Sequence, residues 1–386
     1  MTNPTPTLVG IIADDLTSAT DGAAAFLAKG YTPLIKRNTK GMENAAIVSI
    51  DTNSRASTIA EATIATVKGV AALKSARFLF KTIDSTLRGH ISVEIATAFR
   101  ASGRSRLVVA PAFPSAGRIT VCGVQIVNGI PVRDSSYGQD PVHPTHTSHI
   151  ADLVDPSLGT PVIVAATCAE GANAADKILI PDADSQDALN RQVANISDPE
   201  TVLWVGAPGL AIALASLVPA APSESSIKGS VSARVLIVAG SANPVTHAQC
   251  DILRNGDVHV VTELLPVLND ERTLCLRAPL LRHANAGEVL ANLAKQAVSV
   301  ITDHDFNVVI ATGGETMTAI LDRLGVGSFL LIHELEPGFP VGRAKREDGT
   351  LLNIAMKAGG FGSSSALLDA ARHFVGEPAL TKGLNA

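Results

Sequence analysis

Short β-rich runs recur along the chain, and each leads through Gly, Asp or Ser into an Ala-rich stretch with helical spacing. Strands that alternate with helices form a largely parallel sheet whose two faces are covered by helices. The sequence therefore predicts an α/β protein. The predicted strands span 8–13, 45–51, 77–84, 106–112, 160–166 and 202–207 in the first part, and 234–241, 258–263, 307–314 and 352–357 in the second.

The length of 386 residues exceeds that of an ordinary single core, so two domains are expected. Hydrophobic residues make up 46% of the chain and charged residues 17%, a balance that excludes general disorder. A Pro-, Ser- and Gly-rich stretch at 219–233 separates the two sets of strands and indicates a linker. We expect a first domain at 1–218 and a second at 234–386, each a mainly parallel sheet flanked by helices, with a cleft between them.

Charge and cysteine usage exclude several classes of protein. The net charge is −5 and Lys and Arg are scattered, so we expect no nucleic-acid partner. The four cysteines form no CxxC pair, which argues against a zinc site or a disulfide framework. The opening MTNPTPT has neither a basic start nor an apolar core, so no signal peptide is expected. We expect a cytoplasmic protein that forms a homodimer.

One uncharged stretch, 201–222, is nearly long enough to span a membrane. Gly206, Pro208 and Gly209 interrupt it, and these residues favour a turn. The stretch therefore predicts a strand, a turn and a buried helix rather than a membrane span.

Two adjacent aspartates, Asp14 and Asp15, follow the first apolar run. Ligands of open parallel sheets bind beyond the carboxyl ends of the strands. Ser18 and Asp21 fit a capping box for the next helix, and one of the two aspartates could be a cap instead. Capping does not account for both neighbours, so we expect an acidic site here.

Charged residues also follow the next strands. Arg55 comes shortly after the 45–51 run, and KTIDSTLRGH contains Lys81, Asp84 and Arg88. Arginine grips a carboxylate with two parallel hydrogen bonds, and carboxylates accept hydrogen bonds from hydroxyl groups. This combination predicts a site for a small polyhydroxylated acid, although each charge taken alone could belong to a surface ion pair.

Three histidines, His143, His146 and His149, are spaced three residues apart. Pro141 and Pro144 favour an irregular loop, so the histidines are not expected to share one face of a helix. We therefore expect a loop on the substrate side rather than a zinc site.

Three units of the second part run from a strand through a small-residue loop into a helix, with loops at 240–243, 312–316 and 359–362. Glycine lets backbone amides approach a phosphate, and a helix N-terminus adds positive potential. No Walker A motif occurs, and GFGSSS only half matches the GxGxxG pattern. Together the three loops predict a cradle for the phosphates of a nucleotide.

Several segments together resemble the successive motifs of the four-carbon acid sugar kinases, a family that includes threonate, erythronate and 3-oxo-tetronate kinases. The resemblance extends from Leu8 to Phe374, and ADDLT, DSTLRG and APAFP are its most specific parts. The segments are IIADDLTSATDGAAAF, FKTIDSTLRGH, VVAPAFPSAGRITVCGVQIVNGIPV, DPV at 140–142, LIVAGSANPVTHAQ, ATGGETMTAIL, ELEPGFPVG and KAGGFG.

The resemblance implies a phosphotransferase with an alcohol group as acceptor. Its N-terminal domain would bind a hydroxy acid, and its C-terminal domain would bind ATP with Mg²⁺; the metal ligands are left unassigned. The implied substrate-binding residues are Asp14, Arg55, Lys81 and Arg88, and the implied candidates for the catalytic base are Asp15, which we favour, and Asp84. The implied nucleotide-binding residues are Ser241, Gly313, Gly314, Glu315, Thr316, Gly359 and Gly360.

Departures from the usual family residues at His90, Ile119 and Asn243 leave the exact acid open. Two other functions also remain open at this point. One is an NAD-dependent dehydrogenase acting on a hydroxy acid, and the other is a sugar-acid sensor without catalytic activity.

Overall fold

The computed structural model describes residues 7–39, 45–140, 143–164, 177–221, 233–256, 258–264, 271–279 and 285–376. The chain divides into two compact units, Met1–Glu224 and Ser225–Ala386. Most of the predicted linker, 219–233, lies outside the described residues, so its bounds and those of the predicted domains stay predictions.

The first unit alternates strands and helices. Its strands are β1 (Val9–Ala13), β2 (Leu34–Lys36), β3 (Ile47–Asp51), β4 (Phe78–Thr82), β5 (Arg106–Ala110), β6 (Arg118–Val121), β7 (Val124–Val127), β8 (Ile130–Pro131), β9 (Val162–Val164), β10 (Ile178–Pro181) and β11 (Val202–Gly206). Its α-helices are α1 (Leu16–Ala24), α2 (Ile59–Leu73), α3 (Ile91–Ser102), α4 (Gln186–Ala194) and α5 (Pro208–Ala215).

The main sheet of the first unit has the order β2-β3-β1-β4-β11-β5-β10-β9, and every neighbouring pair within it is parallel. Helices α2 and α3 pack together, as do α4 and α5. Ile12, Val48 and Leu79 of the sheet share one buried cluster with Val70 of α2 and Ile95 of α3. All five residues of β1 are buried, as expected for a strand covered on both faces. The predicted α/β class is confirmed in this unit.

The second unit contains β12 (Val235–Ala239), β13 (His259–Val261), β14 (Thr273–Arg277), β15 (Val308–Thr312), β16 (Ser328–Glu334), β17 (Pro340–Lys345) and β18 (Leu351–Lys357). Its α-helices are α6 (Pro244–Asn255), α7 (Ala286–Asp303), α8 (Gly314–Arg323) and α9 (Ala366–Val375). The strands β13-β14-β12-β15-β18 are parallel neighbours, and β17 and β16 continue from β18 as antiparallel strands. Helix α6 packs against α9, and α7 against α8.

The described part of the uncharged stretch, 201–221, contains β11 and α5, and Ala207 between them is the N-cap of α5. This confirms the predicted strand and helix, whereas Pro208 and Gly209 of the predicted turn form the start of α5, because proline and glycine are tolerated in the first turn of a helix. None of the helices in the described ranges is long and apolar enough to cross a membrane.

The predicted capping box of Ser18 and Asp21 is wrong. Helix α1 begins at Leu16, and its N-cap is Asp15, whose Oδ1 accepts a hydrogen bond from the Ser18 backbone N–H at 2.6 Å. The cap lies one turn earlier than predicted because Asp15 has extended backbone angles and an acceptor of the right length for that N–H.

Candidate active site

The carboxyl ends of β1, β3 and β4 lie side by side. Ala13 of β1 pairs with Asp51 of β3, and Ile12 of β1 pairs with Lys81 of β4. Side chains at or just after these strand ends therefore meet at one edge of the sheet. The predicted residues at this edge are Asp14, Asp15, Arg55, Lys81, Asp84 and Arg88.

Arg55 joins the two adjacent aspartates. Its Nε donates to Asp14 Oδ2 at 2.7 Å and its Nη2 to Asp14 Oδ1 at 2.9 Å, which is a bidentate ion pair. Its Nη1 donates to Asp15 Oδ2, and its Nη2 also donates to Ser18 Oγ at 2.8 Å. Four hydrogen bonds thus hold the Arg55 guanidinium against the residues that follow β1.

Asp15 is both a helix cap and part of this cluster, because one carboxylate oxygen caps α1 and the other accepts from Arg55. Its side chain is 25% exposed, whereas that of Asp14 is 4% exposed. Of the two neighbours, Asp15 is therefore the one that a bound molecule can reach more easily.

Asp84 and Arg88 form a second ion pair, with Arg88 Nε donating to Asp84 Oδ2 at 2.5 Å. Thr86 Oγ1 donates to the same carboxylate oxygen at 2.7 Å. Arg88 Nη1 also donates to Asp140 at 3.3 Å, and its guanidinium carbon lies 5.3 Å from the centre of the Tyr137 ring. The sequence reasoning missed Asp140 and Tyr137 because more than forty residues separate them from Arg88.

Gly89 brings the two ion pairs together. We call the resulting group the acidic cluster, and its members are Asp14, Asp15, Arg55, Asp84 and Arg88. The φ of Gly89 is +97°, a conformation that favours glycine, and a Cβ at this position would lie 3.6 Å from both Arg55 Cγ and Asp14 Oδ2. The loop that carries Asp84 and Arg88 therefore lies directly against Arg55 and Asp14.

Lys81 has other partners. Its side chain is fully buried, and its Nζ lies 2.9 Å from Glu94 Oε2 and donates to the Thr82 carbonyl at 2.8 Å. No ion pair of 4 Å or less joins Lys81 to another predicted site residue in the described part of the chain. Its predicted role in substrate binding stays a prediction.

The two adjacent aspartates differ in acidity. Burial would raise the pKa of Asp14, but Arg55 and Lys81 hold that pKa below its ordinary value. Burial and the neighbouring Asp14 raise the pKa of Asp15 above its ordinary value, although Arg55 opposes the rise. Asp15 therefore accepts a proton more readily than Asp14 does.

The pKa values of two further carboxylates, Asp84 and Asp51, are shifted in opposite directions. Burial opposes the ionisation of Asp84, yet Arg88 and Arg55 hold its pKa far below the ordinary value. Burial raises the pKa of Asp51 to about 7, and the negative charges of Asp15 and Asp14 add to the rise. The raised pKa of Asp51 comes from a depth of burial that no local sequence pattern shows.

The segment with the three histidines lies against the Asp84 loop, because Thr145 Oγ1 donates to the Thr86 carbonyl at 2.7 Å. The His143 backbone N–H donates to Asp140 Oδ1 at 3.0 Å. Among the residues described in this structure, no group of three or more His, Cys, Asp or Glu side chains is placed to hold a metal ion.

The three small-residue loops of the second unit also converge, since β12, β15 and β18 are neighbours in that order. The Ser241 backbone N–H donates to Thr312 Oγ1 at 3.3 Å, and the Gly313 N–H donates to the Lys357 carbonyl at 2.8 Å. Thr246 Oγ1 of α6 donates to the Gly359 carbonyl at 2.9 Å. The predicted nucleotide-binding residues thus lie together at one edge of this sheet.

Glycine is required where these loops touch. A Cβ at Gly359 would lie 1.9 Å from Ser241 Oγ, and a Cβ at Gly240 would lie 2.2 Å from Thr316 Oγ1. Gly313 has a φ of +93° and is the N-cap of α8, so α8 starts with Gly314, Glu315 and Thr316. The first N–H groups of a helix have no partner within the helix and point outward, which suits an anion.

A cation lies beside these loops. Lys357 is 2% exposed, and its Nζ donates to the Ala358 carbonyl at 3.1 Å. Burial lowers the pKa of Lys357 to about 8, so its ammonium is largely protonated at neutral pH. The arrangement of amides, hydroxyls and one ammonium fits the phosphates of a nucleotide.

Two family models match the chain. A model for a sugar-binding N-terminal domain matches residues 9–214, which is more than half of the 386 residues. A model for a nucleotide-binding C-terminal domain matches residues 269–367. The acidic cluster lies within the first match, and the loops of β15 and β18 lie within the second.

Characterised relatives align along nearly the whole chain. A D-threonate kinase of Bordetella bronchiseptica is 30% identical over 94% of this chain and 96% of its own length. A D-threonate kinase of Salmonella typhimurium is 28% identical over 93% and 96%. A 3-oxo-tetronate kinase of Brucella melitensis is 24% identical over 94% of each chain.

Crystal structures support the same fold. A Salmonella typhimurium protein superposes with a TM-score of 0.79 at 21% identity, covering 95% of this chain and 99% of its own. A Haemophilus influenzae protein superposes with a TM-score of 0.72 at 19% identity, covering 95% and 100%. With both domain models and these relatives, the chain is a phosphotransferase with an alcohol acceptor and belongs to the four-carbon acid sugar kinase family.

Proposed function

We propose that the protein transfers the γ-phosphoryl group of ATP to the terminal hydroxyl of a four-carbon sugar acid, with D-threonate as the first candidate. The D-threonate relatives support this choice, since three of them are 28–30% identical over at least 92% of this chain. The 3-oxo-tetronate kinases named among the relatives are 21–26% identical over a similar span.

The observation that carries the proposal is the acidic cluster of the first unit. Its carboxylates suit the hydroxyl groups of a sugar acid, and its guanidinium groups suit the acid's carboxylate. Arg55 already makes four hydrogen bonds within the cluster. The side chain of Arg88 is 29% exposed. Its Nε and Nη1 donate to Asp84, Thr86 and Asp140, whereas its Nη2 donates to none of the described residues. We therefore assign Arg88 as the main ligand of the substrate carboxylate.

Phosphoryl transfer needs positioning, charge neutralisation and a group that takes the proton of the attacking hydroxyl. We assign that proton to Asp15, because its raised pKa and its exposure suit a general base. Asp84 is a weaker candidate, because its strongly lowered pKa makes it a poor proton acceptor. Asp14 would instead hold Arg55 in place.

The loops of the second unit would hold the nucleotide through Ser241, the start of α8, and Gly359 with Gly360. Mg²⁺ would enter with the ATP, since this ion is usually bound through phosphates, waters and one or two carboxylates rather than by a protein cage. Glu315, exposed at the start of α8, is one carboxylate beside these loops, and Glu336, which accepts hydrogen bonds from Ser363, is another. The ion would neutralise charge on the transferred phosphoryl group.

The test is a panel of D-threonate, L-threonate, D-erythronate, L-erythronate and 3-oxo-tetronate, each assayed for ADP release with ATP and Mg²⁺. We expect D-threonate to exceed the other acids in kcat/KM, and a higher value for another acid of the panel would contradict the choice of D-threonate. NADH formation from the same acids would instead indicate the dehydrogenase alternative, and binding without turnover would indicate the sensor. Neither of those outcomes is compatible with the proposal.

A further inference from the structure

Glu94 lies on α3 among apolar residues, where the packing alone would favour another apolar side chain. It is 2% exposed, and its neighbours along the helix, Ile91 and Ile95, belong to the buried cluster of the first unit. A buried carboxylate is costly unless charged and hydrogen-bonding partners compensate it. Both oxygens of Glu94 have such partners, and both partners belong to the strand ends that build the acidic cluster.

The first partner is Lys81. Its Nζ lies 2.9 Å from Glu94 Oε2, and neither side chain is more than 2% exposed. Lys81 in turn is the fourth residue of β4 and pairs with Ile12, two positions before Asp14. Its ammonium helps to hold the pKa of Asp14 below its ordinary value. Glu94, together with the Thr82 carbonyl, therefore holds the buried positive charge that acts on Asp14.

The second partner is Ser54, whose Oγ donates to Glu94 Oε1 at 2.5 Å. Ser54 immediately precedes Arg55, and the backbone N–H groups of both residues donate to the Asp14 carbonyl, at 2.8 Å and 3.1 Å. The Ser54 hydroxyl also lies 2.9 Å from Thr52 Oγ1. The position of Ser54 thus fixes the backbone from which the Arg55 guanidinium reaches the two aspartates.

We propose that Glu94 is a positioning residue of the sugar-acid site, and that its two oxygens tie Lys81 of β4 to the segment that carries Arg55. This inference rests on the proposed function, because it concerns the same acidic cluster. Glu94 itself touches neither Asp15 nor Arg88 in the contacts described, so it acts through its partners and is not assigned a catalytic role.

The main test compares steady-state kinetics of the wild type with Glu94→Gln and Ser54→Ala. Glutamine keeps the size of the side chain and can still accept from Ser54, but it provides no charge for Lys81. Alanine at position 54 leaves the Lys81–Glu94 ion pair intact and removes the link from Glu94 to the Arg55 segment, together with the hydroxyl contact to Thr52 within that segment. We expect both variants to raise KM for the sugar acid, Glu94→Gln by about tenfold or more, with KM for ATP within about twofold of the wild type.

Asp182→Asn is a matched control. Asp182 is also a buried carboxylate of the first unit, at 6% exposure, and it accepts hydrogen bonds from the backbone N–H groups of Cys122 and Gly123. We expect this variant to melt at a lower temperature with KM for the sugar acid within about twofold of the wild type. If Glu94→Gln behaves like Asp182→Asn, with lower stability and both KM values unchanged, Glu94 is only structural and the proposal is wrong.

Hydrogen exchange of the ligand-free protein separates this inference from the proposed function. We expect faster amide exchange of the 52–57 segment in Ser54→Ala, which loses the hydrogen bond to Glu94, and a smaller increase in Glu94→Gln, whose neutral amide oxygen is a weaker acceptor for Ser54, but no increase in Asp182→Asn. Wild-type exchange of that segment in both variants would overturn the role of Glu94, whatever the enzyme phosphorylates. Failure of the wild type to phosphorylate any acid of the panel would overturn the proposed function, whereas the exchange result would still decide whether Glu94 holds the Arg55 segment.

Discussion

Asp14 and Asp15 are adjacent in the chain, yet their surroundings give them different chemistry. Asp14 is almost completely buried and makes a bidentate ion pair with Arg55. Asp15 is more exposed than Asp14 but is still mostly buried. This burial and the negative charge of Asp14 raise the pKa of Asp15. In this site, Asp14 can hold the Arg55 guanidinium while Asp15 accepts a proton, so each carboxylate has a separate task.

We expect Asp15→Asn to lower kcat by about a hundredfold or more, because asparagine does not accept a proton from the substrate hydroxyl. Asparagine is also a good N-cap, so α1 should be retained. Activity of the wild type should fall with decreasing pH through the raised pKa of Asp15. The measurement is kcat across pH for both proteins and for Asp84→Asn. Normal turnover of Asp15→Asn with a large loss in Asp84→Asn would reverse the assignment of the base.

For Arg88→Lys we expect KM for the sugar acid to rise by about tenfold with a smaller change in kcat, because lysine keeps the charge but loses the planar two-pronged donor. Arg100→Lys is the matched control. Arg100 is on α3 of the same unit, its side chain is 54% exposed, and its ion pair is with Asp155. Equal KM values in the wild type and Arg88→Lys would contradict the assignment of the substrate carboxylate to Arg88.

The raised pKa of Asp51 makes a prediction about stability. Its pKa of about 7 in the folded protein exceeds the ordinary value of 3.8, so the folded state loses stability as pH rises from about 4 to about 7. An asparagine side chain at this position would not ionise. We therefore expect Asp51→Asn to match the wild type below pH 4 and to exceed it by about 2–4 kcal/mol in free energy of unfolding above pH 7.

Denaturant unfolding across pH, without ligands, measures this difference. Asp155→Asn should show the opposite sign, because hydrogen bonds from Ser157 and Arg100 lower the pKa of Asp155 to about 2. The stability that Asp155 contributes is present above about pH 4 and is lost toward pH 2. A pH-independent difference between Asp51→Asn and the wild type would show that Asp51 has an ordinary acidity in the fold.

At the scale of elements, helix starts and close loop contacts define the second unit's candidate site. Helix α6 holds the loop that follows β18, since Thr246 donates to the Gly359 carbonyl and Gln249 Nε2 donates to the carbonyls of Phe361 and Ser363 at 3.3 Å and 2.7 Å. Because α6 directly follows the 240–243 loop, this helix joins that loop to the one that follows β18. A side chain inserted between these loops would separate them.

We expect Gly359→Ala to raise KM for ATP by about tenfold or more, because the new Cβ would lie 1.9 Å from Ser241 Oγ and would push the two loops apart. KM for the sugar acid should change little. Gly287→Ala in α7 is the control, since a Cβ there would meet only Asn285 Oδ1 at an ordinary 3.4 Å. Unchanged ATP binding in Gly359→Ala would show that the nucleotide does not depend on the contact between these loops.

At the scale of the whole molecule, the two units carry different kinds of site. Carboxylates and guanidinium groups gather in the first unit, whereas amides, hydroxyls and Lys357 gather in the second. Such a division suits two substrates of different chemistry. The expected homodimer and the expected cytoplasmic location stay predictions.

Hydrogen exchange with single ligands tests this division in the full chain. We expect ADP with Mg²⁺ to slow amide exchange in the segments at 240–246, 313–318 and 358–363. The sugar acid should slow exchange in the segments at 14–18, 52–57 and 84–90. Protection by ADP of the first unit's segments alone would contradict the assignment of the nucleotide to the second unit.

Local sequence was sufficient for the described parallel strands except β2, β10 and β14, for the strand and the helix of the 201–222 stretch, and for the placement of polar residues at strand ends. These features depend on spacing along the chain and on glycine or proline at turns, which a single sequence displays directly. The antiparallel pairs of β16 with β17 and of β6 with β7 were not predicted, because their short strands pair through tertiary register rather than through a repeated pattern.

Only the tertiary structure decided which charges are partners. Glu94 meets Lys81 and Ser54, and Arg88 meets Asp140, across 13 to 52 residues of chain. Such contacts depend on how helices pack on the sheet, and the acidity of Asp51 depends on the burial that this packing produces. Hydrophobic periodicity therefore determined the elements, whereas the energy of placing charges in a shared, poorly solvated space determined the chemistry of the site.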